Sequence, residues 1–349
     1  MEDSGVTEGG GTTLACPLCA AQCSEPFLES IDRFFGRTKL YRIVRCLDCG
    51  FRFLSPRPDD PQGDEAYPQD YPQYHTRLSK PSDKAADSGM RGLKWRMDAH
   101  NLRRLGYRLD SLPESGPLAR ALSPLRRKRF RHGVLPPRGD CRMLEVGCGT
   151  GSFLFRHKDL GWETTGVEMS DAAAQAARDA GLDVHTGMVE EARLPRGHFD
   201  VIVLMHVLEH IEDPAAVLRG LIPLLAPGGQ IMAEIPNANA ACMAWFGQYW
   251  FPLELPRHLS HFALPDIQRL ADRADVKLVR HLTRNGGDWH ARSLDYLLTE
   301  KSWLPRFVRS GDFCRRIKLE NKLAPLLKLF ASGDRGDALR VWFEPGAGA

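Results

Sequence analysis

The chain has 349 residues, which is enough for one large domain and a smaller one. Its residues are 43% hydrophobic and 26% charged, as in an ordinary globular protein, and its net charge of +3 favours no class of partner. No apolar run reaches the roughly 18 residues that a membrane span requires. Residues 1–13 lack a signal-peptide pattern and predict a disordered tail, so the cytoplasm is the expected location. The nine cysteines are therefore expected to be thiols or metal ligands rather than disulfides.

Two cysteine pairs begin the part of the chain that is predicted to be ordered. Cys16 and Cys19 form the first C-x-x-C motif, and Cys46 and Cys49 form the second. Two such pairs supply the four thiolates of a tetrahedral zinc site, and the alternating residues 34–44 between them predict a hairpin. We therefore expect a structural zinc ribbon over residues 14–58, with Cys23 as a bystander. A redox role for the pairs would require a βαβ context, which this region lacks.

The next segment, residues 59–131, combines two kinds of sequence. Residues 59–92 are rich in Pro, Tyr, Asp and Gln and predict an irregular linker or lid. Residues 93–131 predict helix and are rich in arginine, with a basic run at 126–131. A basic run of this kind is one indication of nucleic-acid binding.

From residue 132 to residue 349, predicted strands and helices alternate, which indicates an α/β domain with a parallel sheet. The predicted strands are residues 142–146, 163–167, 201–205, 230–235, 276–282 and 338–343, and the clearest helices are 171–180 and 214–225. A further helix can start within residues 152–158. A longer helical stretch is predicted around residues 297–331. It could form a dimer interface, a membrane-surface contact or part of a substrate wall.

A glycine-rich loop follows the first strand of this domain and precedes a predicted helix. Glycines at 147, 149 and 151 let the backbone turn sharply and approach a ligand closely. Glu168 ends the next strand, where an acidic side chain can accept hydrogen bonds from the hydroxyls of an adenosine ribose. The G-x-G-x-G spacing differs from the G-x-G-x-x-G of dinucleotide-binding proteins, which speaks against NAD as the ligand. The remaining alternative is a structural turn with a surface glutamate.

Three motifs carry a resemblance to a known family. Residues 144–151 (LEVGCGTG) resemble the first motif of class I S-adenosylmethionine-dependent methyltransferases, residues 199–203 their fourth strand, and residues 225–229 the turn into their fifth. The resemblance covers residues 142–344 and implies a Rossmann-like seven-stranded sheet with S-adenosylmethionine as cofactor. It implies that Glu145 and the glycine loop hold the methionine portion and that Glu168 holds the ribose. The predicted cofactor-binding residues are Glu145, Gly147, Cys148, Gly149, Gly151, Glu168, Met169 and Met205.

His206, Glu209 and His210 follow the strand predicted at 201–205, and their i, i+3, i+4 spacing places them on one helical face. They could be structural, His206 could be a general base near the methyl group, or the three could bind a divalent metal. The segment resembles ubiquinone-pathway O-methyltransferases, whose acidic and histidine side chains bind magnesium. His206 stands where that pattern has a carboxylate. Because magnesium prefers oxygen ligands, we expect no catalytic metal here.

An aromatic segment, residues 245–251, leads to Arg257, His258 and His261. It predicts a lid over the substrate, with these three side chains supplying charge and hydrogen bonds; a structural loop is the alternative. The run resembles a segment of a broad methyltransferase subgroup that acts on small molecules and sugars. His258 and His261 are the second candidates for a catalytic base. The four-cysteine module is similar to one in deoxysugar C-methyltransferases, which carry a further C-terminal domain.

The predicted function is transfer of a methyl group to a small-molecule or sugar acceptor by in-line displacement, with His206 as the first candidate base. The alternative is methylation of RNA or protein, with the ribbon and the arginine-rich segment recognising the substrate. The near-neutral net charge and the lack of an Asn/Asp-Pro-Pro-Tyr motif speak against nucleic acid. A non-catalytic S-adenosylmethionine-binding module is a third hypothesis, opposed by the intact glycine loop and Glu168. The acceptor, its reacting atom and the oligomeric state stay open.

Overall fold

The computed structural model describes residues 14–60, 63, 66–68, 89–110, 112–126, 133–285, 288–319 and 333–346. The predicted tail, most of the linker, all but the first residue of the basic run at 126–131 and residues 320–331 of the predicted helical stretch lie outside these residues. The chain forms two compact units. The first comprises Met1–Pro68, His206–Leu218 and Glu234–Val341, and the second comprises Gln69–Met205, Arg219–Ala233 and Trp342–Ala349.

A small antiparallel sheet in the first unit contains the cysteine region. Strand β1 (Ser24–Ile31) pairs with β2 (Leu40–Cys46), β2 with β3 (Arg52–Leu54), and β3 with β9 (Ser260–His261). The predicted hairpin exists, but its first strand ends before residue 34, so the predicted start of the hairpin was wrong. Asp32 sets this boundary, because its carboxylate accepts a hydrogen bond from the Phe35 amide and its carbonyl accepts one from the Arg37 amide. These bonds turn the chain where the alternating pattern continues.

The larger sheet has seven strands in the order β10-β11-β8-β7-β4-β5-β6, which confirms the predicted α/β fold. Strand β4 runs parallel to both β5 and β7, and β5 runs parallel to β6. Because β6 has only four residues and one buried side chain, its sequence carried no strand signal and it was not predicted. The strands are β4 (Arg142–Val146), β5 (Glu163–Glu168), β6 (Asp183–Thr186), β7 (Phe199–Met205), β8 (Leu225–Pro236), β10 (Val276–Arg284) and β11 (Ala338–Pro345).

Nine helices are defined among the described residues. They are α1 (Met90–Leu105), α2 (Pro117–Leu122), α3 (Ser152–Lys158), α4 (Asp171–Asp179), α5 (Pro214–Leu221), α6 (Ala241–Phe246), α7 (Leu264–Arg273), α8 (Trp289–Thr299) and α9 (Phe313–Arg316). Helix α5 ends earlier than predicted, and a 3₁₀ turn containing Pro223 follows, since proline cannot continue the hydrogen-bond ladder. The described part of the predicted stretch around 297–331 contains only the end of α8 and the short α9. No helix among the described residues is long and apolar enough to cross a membrane.

Each unit has its own apolar core. In the second unit, Met143 of β4 and Val203 of β7 are fully buried and share one cluster with Leu154 of α3 and Ala174 of α4. In the first unit, Ile43 and Leu54 of the small sheet cluster with residues 250–259. Packing of α3 and α4 on the parallel strands fixes the carboxyl ends of β4, β5 and β7, which is where ligands bind in sheets of this type.

Candidate functional site

The loop after β4 has a backbone that requires glycine. Gly147, Gly149 and Gly151 have φ values of 68°, 54° and 80°, in the left-handed region that side chains disfavour. At Gly151 a Cβ atom would also lie 2.2 Å from a methyl carbon of Leu182. A side chain at Gly151 would therefore displace Leu182. The loop forms a tight backbone turn at the carboxyl end of β4.

Glu168, the last residue of β5, is attached to this loop. One carboxylate oxygen accepts a hydrogen bond from the Gly149 amide at 2.7 Å, and the other accepts one from the Ser170 amide at 2.9 Å. The side chain is buried, and burial raises its pKa even though these amide bonds act in the opposite direction. The carboxylate thus joins the glycine loop to the carboxyl end of the neighbouring strand.

Glu145 supplies a second buried carboxyl group beside the same loop. It is 3% exposed, and its Oε2 atom has no hydrogen-bond partner among the described residues. Burial raises its pKa well above the ordinary value, and the charge of Glu168 adds to this effect. A buried acceptor without a partner is costly, so this oxygen suits a ligand that brings a hydrogen-bond donor.

The other predicted cofactor-binding residues lie around the same strand ends of the second unit. Cys148 is buried, and burial followed by the charges of Glu145 and Glu168 raises the pKa of its thiol, so it is not a reactive thiolate. Met169 is 41% exposed directly after β5, and Met205 is the last residue of β7. The structure therefore gathers these predicted residues at the carboxyl ends of three adjacent parallel strands.

His206 follows β7 and belongs to the first unit. Its backbone has a φ of 57°, and its amide donates to the carbonyl of Glu234 at 2.8 Å. Its Nδ1 atom lies 3.2 Å from Oε1 of Glu209, and its Nε2 atom lies 3.8 Å from Glu234. Only residues 208–210 form a 3₁₀ turn. His206 therefore reaches Glu209 from a left-handed backbone position just before that turn. The two residues do not share the face of an α-helix, as their spacing predicted.

Three carboxylates favour the protonated form of the His206 ring. Burial alone would lower the pKa of His206, but the hydrogen bond and charge of Glu209, followed by the charges of Glu234 and Glu254, outweigh it and raise the pKa. Glu209 is 1% exposed, and its Oε2 atom has no hydrogen-bond partner among the described residues. The His206 side chain keeps 35% of its surface exposed. The ring is therefore accessible while its Nδ1 side is held by a buried carboxylate.

Two arginines form ion pairs with Glu234. Arg340 Nε donates to its carboxylate at 2.6 Å, and Arg284 Nη1 donates to both carboxylate oxygens. Burial raises the pKa of Glu234, but the charges of the two arginines and of His206 outweigh it and the net shift is downward. These partners were not predicted. The single acidic residue inside the apolar strand of residues 231–235 was the one signal in the sequence that could have drawn attention to Glu234.

His210 and His258 also lie close to Glu209. Atoms of Glu209, His210 and His258 that could bind a metal lie within 4.8 Å of one another. His210 Nδ1 is 2.7 Å from the Tyr67 hydroxyl, and His258 Nδ1 is 2.8 Å from the Pro252 carbonyl. Two imidazoles and one carboxylate do not suit magnesium, which prefers oxygen ligands. We therefore derive no magnesium-dependent step from this cluster.

His258 and His261 are both buried. Burial, with the charges of His210 and His261, lowers the pKa of His258 well below its ordinary value, and burial lowers that of His261 to about 3. Arg257 is fully buried and donates to both carboxylate oxygens of Asp32, at 3.0 and 3.1 Å. The expectation that Arg257 offers charge to a substrate was therefore wrong, because its guanidinium is committed to an internal ion pair.

The four predicted zinc ligands lie together in the first unit. Cys16 Sγ is 3.6 Å from Cys49 Sγ, and Cys19 Sγ is 3.5 Å from Cys46 Sγ. These separations are too long for disulfides and close to the roughly 3.8 Å edge of a tetrahedron with zinc–sulfur bonds of about 2.3 Å. The residue after each pair, Ala20 or Gly50, has a left-handed φ of 62° or 78°, so both pairs turn in the same way. The thiol of Cys23 contacts Asp48 instead.

Residues 108–281 match the family described as "Methyltransferase domain". Together with the sheet order and the glycine loop, this match defines a class I S-adenosylmethionine-dependent methyltransferase domain, which the chain carries.

Curated relatives and solved structures were also found. A ubiquinone biosynthesis O-methyltransferase of Xanthomonas oryzae pv. oryzae is 32% identical over 130 residues, covering 35% of this chain and 54% of the relative. One from Aromatoleum aromaticum is 34% identical over 125 residues, covering 33% and 53%. The chain thus spans about half the length of the curated relatives it matches. A methyltransferase structure from Mesorhizobium loti aligns with a TM-score of 0.41 and 18% identity, covering 62% of this chain and 96% of that one.

Proposed function

We propose that this protein transfers the methyl group of S-adenosylmethionine to a hydroxyl oxygen of a small-molecule or sugar acceptor. The observation that carries the proposal is the pairing of the accessible His206 ring with the buried Glu209 carboxylate, directly after the last residue of β7. The names of the relatives, which are O-methyltransferases, support the choice of an oxygen acceptor. When bound, S-adenosylmethionine supplies an electrophilic methyl group.

The donor would be held by the residues gathered at the carboxyl ends of β4, β5 and β7. We assign the methionine portion to Glu145 and the glycine loop, because the unpartnered Glu145 oxygen can accept a hydrogen bond from its ammonium group. We assign the ribose hydroxyls to Glu168, whose carboxylate is anchored by two backbone amides. Met169 and Met205 would add apolar contacts to the same ligand.

His206 would act as the general base. With its Nδ1 proton donated to Glu209, the neutral ring has a lone pair on Nε2 that can accept the proton of an acceptor hydroxyl. His258 and His261 are the second candidates. Their low pKa values make them weaker bases near neutral pH, and their burial suits a role in positioning His210 and the surrounding loop. His206 is therefore our first choice for the reacting side chain.

We further propose that Cys16, Cys19, Cys46 and Cys49 bind one structural zinc ion. The two S···S separations and the repeated left-handed turn support a tetrahedral four-thiolate site. A zinc ribbon of this size gains much of its folding free energy from the bound ion. The ion would stabilise the small sheet formed by β1, β2, β3 and β9.

The proposal is tested by incubating the protein with methyl-labelled S-adenosylmethionine and panels of phenols, sugars, RNA and proteins. We expect label in a small-molecule hydroxyl compound, and a loss of about 10²- to 10⁴-fold in turnover for His206→Asn. His281→Asn is the matched control, because His281 is an exposed histidine of the same unit that pairs with Asp334. Labelling of RNA or protein alone, or full turnover by His206→Asn, would contradict the proposal.

A further inference from the structure

A third group of side chains that could bind a metal lies in the first unit, apart from the four cysteines and from Glu209, His210 and His258. Cys242 is on α6, His290 is on α8, and Asp337 directly precedes β11. All three are buried, with exposed fractions of 3%, 7% and 1%. One sulfur, nitrogen or oxygen atom from each lies within 4.8 Å of the others, and His290 Nε2 is 2.9 Å from Asp337 Oδ2.

The chemistry of the three side chains matches one class of ligand. A thiolate, an imidazole and a carboxylate are the ligands that zinc binds in proteins, and three of them leave one coordination position for water. A thiolate and a carboxylate also balance the two positive charges of such an ion, so the buried site would be neutral when loaded. Without an ion, burial and the nearby Asp337 raise the pKa of the Cys242 thiol, so the thiol keeps its proton.

The backbone around these residues is held in place by Asn237, which is fully buried. Its side-chain amide donates to the carbonyls of Asp334 and Gly336, at 2.8 and 2.7 Å, and its backbone amide donates to the carbonyl of Asp337 at 2.7 Å. Gly336 is closely packed, because a Cβ there would lie 2.9 Å from the Thr283 Cβ and 3.0 Å from the backbone N and O atoms of Arg284, so a side chain would require these groups to move. The segment that presents Asp337 is thus fixed by groups that do not bind a metal themselves, as is common around metal sites.

We propose that Cys242, His290 and Asp337 bind a divalent transition-metal ion of the zinc type, at a site separate from the four cysteines. Binding would join α6, α8 and the start of β11, three elements whose residues are far apart in the sequence. Because all three side chains are buried, the ion would lie inside the first unit.

The test is to measure the metal content of the full chain by mass spectrometry after saturation with zinc and removal of the excess. We expect about two equivalents per chain, and about one in Cys242→Ser, His290→Gln and Asp337→Asn. Cys314→Ser is the matched control, because Cys314 is also a buried cysteine beside an aspartate, Asp295, and should keep about two. One equivalent in the unaltered protein that Cys242→Ser retains, or two in Cys242→Ser, would overturn the proposal.

A second measurement does not depend on the folding of any variant. Cadmium-113 substituted into the unaltered chain gives one resonance for each metal site, at a position that depends on the number of sulfur ligands. We expect one resonance typical of four thiolates and another typical of a single thiolate with nitrogen and oxygen. A four-thiolate resonance alone would overturn the proposal, and loss of the four-thiolate resonance alone in Cys49→Ser would show that the two sites are independent.

Discussion

The pKa of His206 depends on a competition between burial, which disfavours the charged ring, and the carboxylates of Glu209 and Glu234, which favour it. The carboxylates prevail, so the ring keeps its proton to a higher pH than an ordinary histidine. A general base must be deprotonated before it can react. Turnover is therefore expected to rise with pH through a pKa above about 6.5, the ordinary value for histidine.

Glu209→Gln tests this account. The substitution removes the nearest negative charge, so the pKa of His206 should fall and the acidic limb of the profile of kcat/KM against pH should move to lower pH. The measurement is that profile for the original protein and for Glu209→Gln with one acceptor. Glu254→Gln, which removes a more weakly acting charge, should move the limb less. An acidic limb that stays in place in Glu209→Gln would exclude His206 as the titrating base.

Comparison of Gly151 with Gly181 separates the cost of a left-handed backbone from the cost of a packing clash in the glycine loop. Their φ values are similar, 80° and 83°, so an alanine at either position should cost roughly 1–2 kcal/mol of folding free energy. A Cβ meets Leu182 at Gly151 and nothing within 4 Å at Gly181. We expect Gly151→Ala to weaken S-adenosylmethionine binding at least about tenfold, a loss of about 1.4 kcal/mol, and Gly181→Ala to leave it unchanged. Equal affinities in calorimetry would refute the role of the loop.

At the residue scale, the sequence predicted groups whose role follows from local spacing. Glu145, the three loop glycines and Glu168 are set by a strand–turn–helix pattern that is visible in one short window. Arg284 and Arg340 were not predicted as partners of Glu234, because they are separated from it by 50 and 106 residues in the chain. Contacts of that kind depend on the tertiary fold, which a local pattern does not encode.

At the scale of secondary-structure elements, the turn between β1 and β2 contains a buried charge with a distant partner. Asp32 and Arg257 are both fully buried and form a two-bond ion pair. Asp32→Asn breaks both bonds of this buried pair and leaves Arg257 with its 3.3 Å contact to Glu254 as an ion pair, which should lower the free energy of unfolding by about 3–5 kcal/mol. Glu29→Gln breaks the exposed pair of Glu29 with Arg42 on β1 and β2 and should cost less than about 1 kcal/mol. Urea denaturation of both variants checks this, and similar losses would contradict it.

The proposed four-cysteine zinc site predicts that the stability of the small sheet depends on zinc. Cys49→Ser should abolish zinc binding at the four-cysteine site and speed hydrogen exchange of the amides in β2 and β3, because the ion would hold these strands together. Cys23→Ser is the control, since the Cys23 thiol is exposed and contacts Asp48. If Cys49→Ser keeps the same zinc content and exchange rates as Cys23→Ser, the four-thiolate site does not exist.

Elements with a strong hydrophobic pattern were predicted to within a few residues, and those defined by turns or short strands were not. Strand β4 has the bounds that the sequence predicts, and helix α3 begins at Ser152, within the residues where a helix start was expected, because a buried strand and a glycine turn determine both. Strand β6 has one buried residue and no apolar run, so its position follows from pairing with β5. The hairpin boundary was set by the hydrogen bonds of Asp32, which alternation cannot reveal.

At the scale of the whole molecule, the two compact units are each assembled from three separate stretches of the chain. The predicted boundaries, with a ribbon over 14–58, a linker and helical segment over 59–131 and a methyltransferase domain over 132–349, are contiguous and remain a prediction. Changes of composition along a sequence can indicate only domains that are contiguous in that sequence. The fold class was nevertheless predictable, because strands and helices alternate through the whole of the larger sheet.

The central claim is that the glycine loop and Glu168 bind S-adenosylmethionine, and calorimetric titration of the full chain with this compound tests it most directly. We predict saturable binding at one site per chain, weakened at least about tenfold in Glu168→Ala, which loses the carboxylate assigned to the ribose. Gly181→Ala, whose substitution lies outside the loop, should bind as the original protein does. A folded, zinc-loaded sample that gives no binding heat at several temperatures, or equal affinity in Glu168→Ala, would contradict the account.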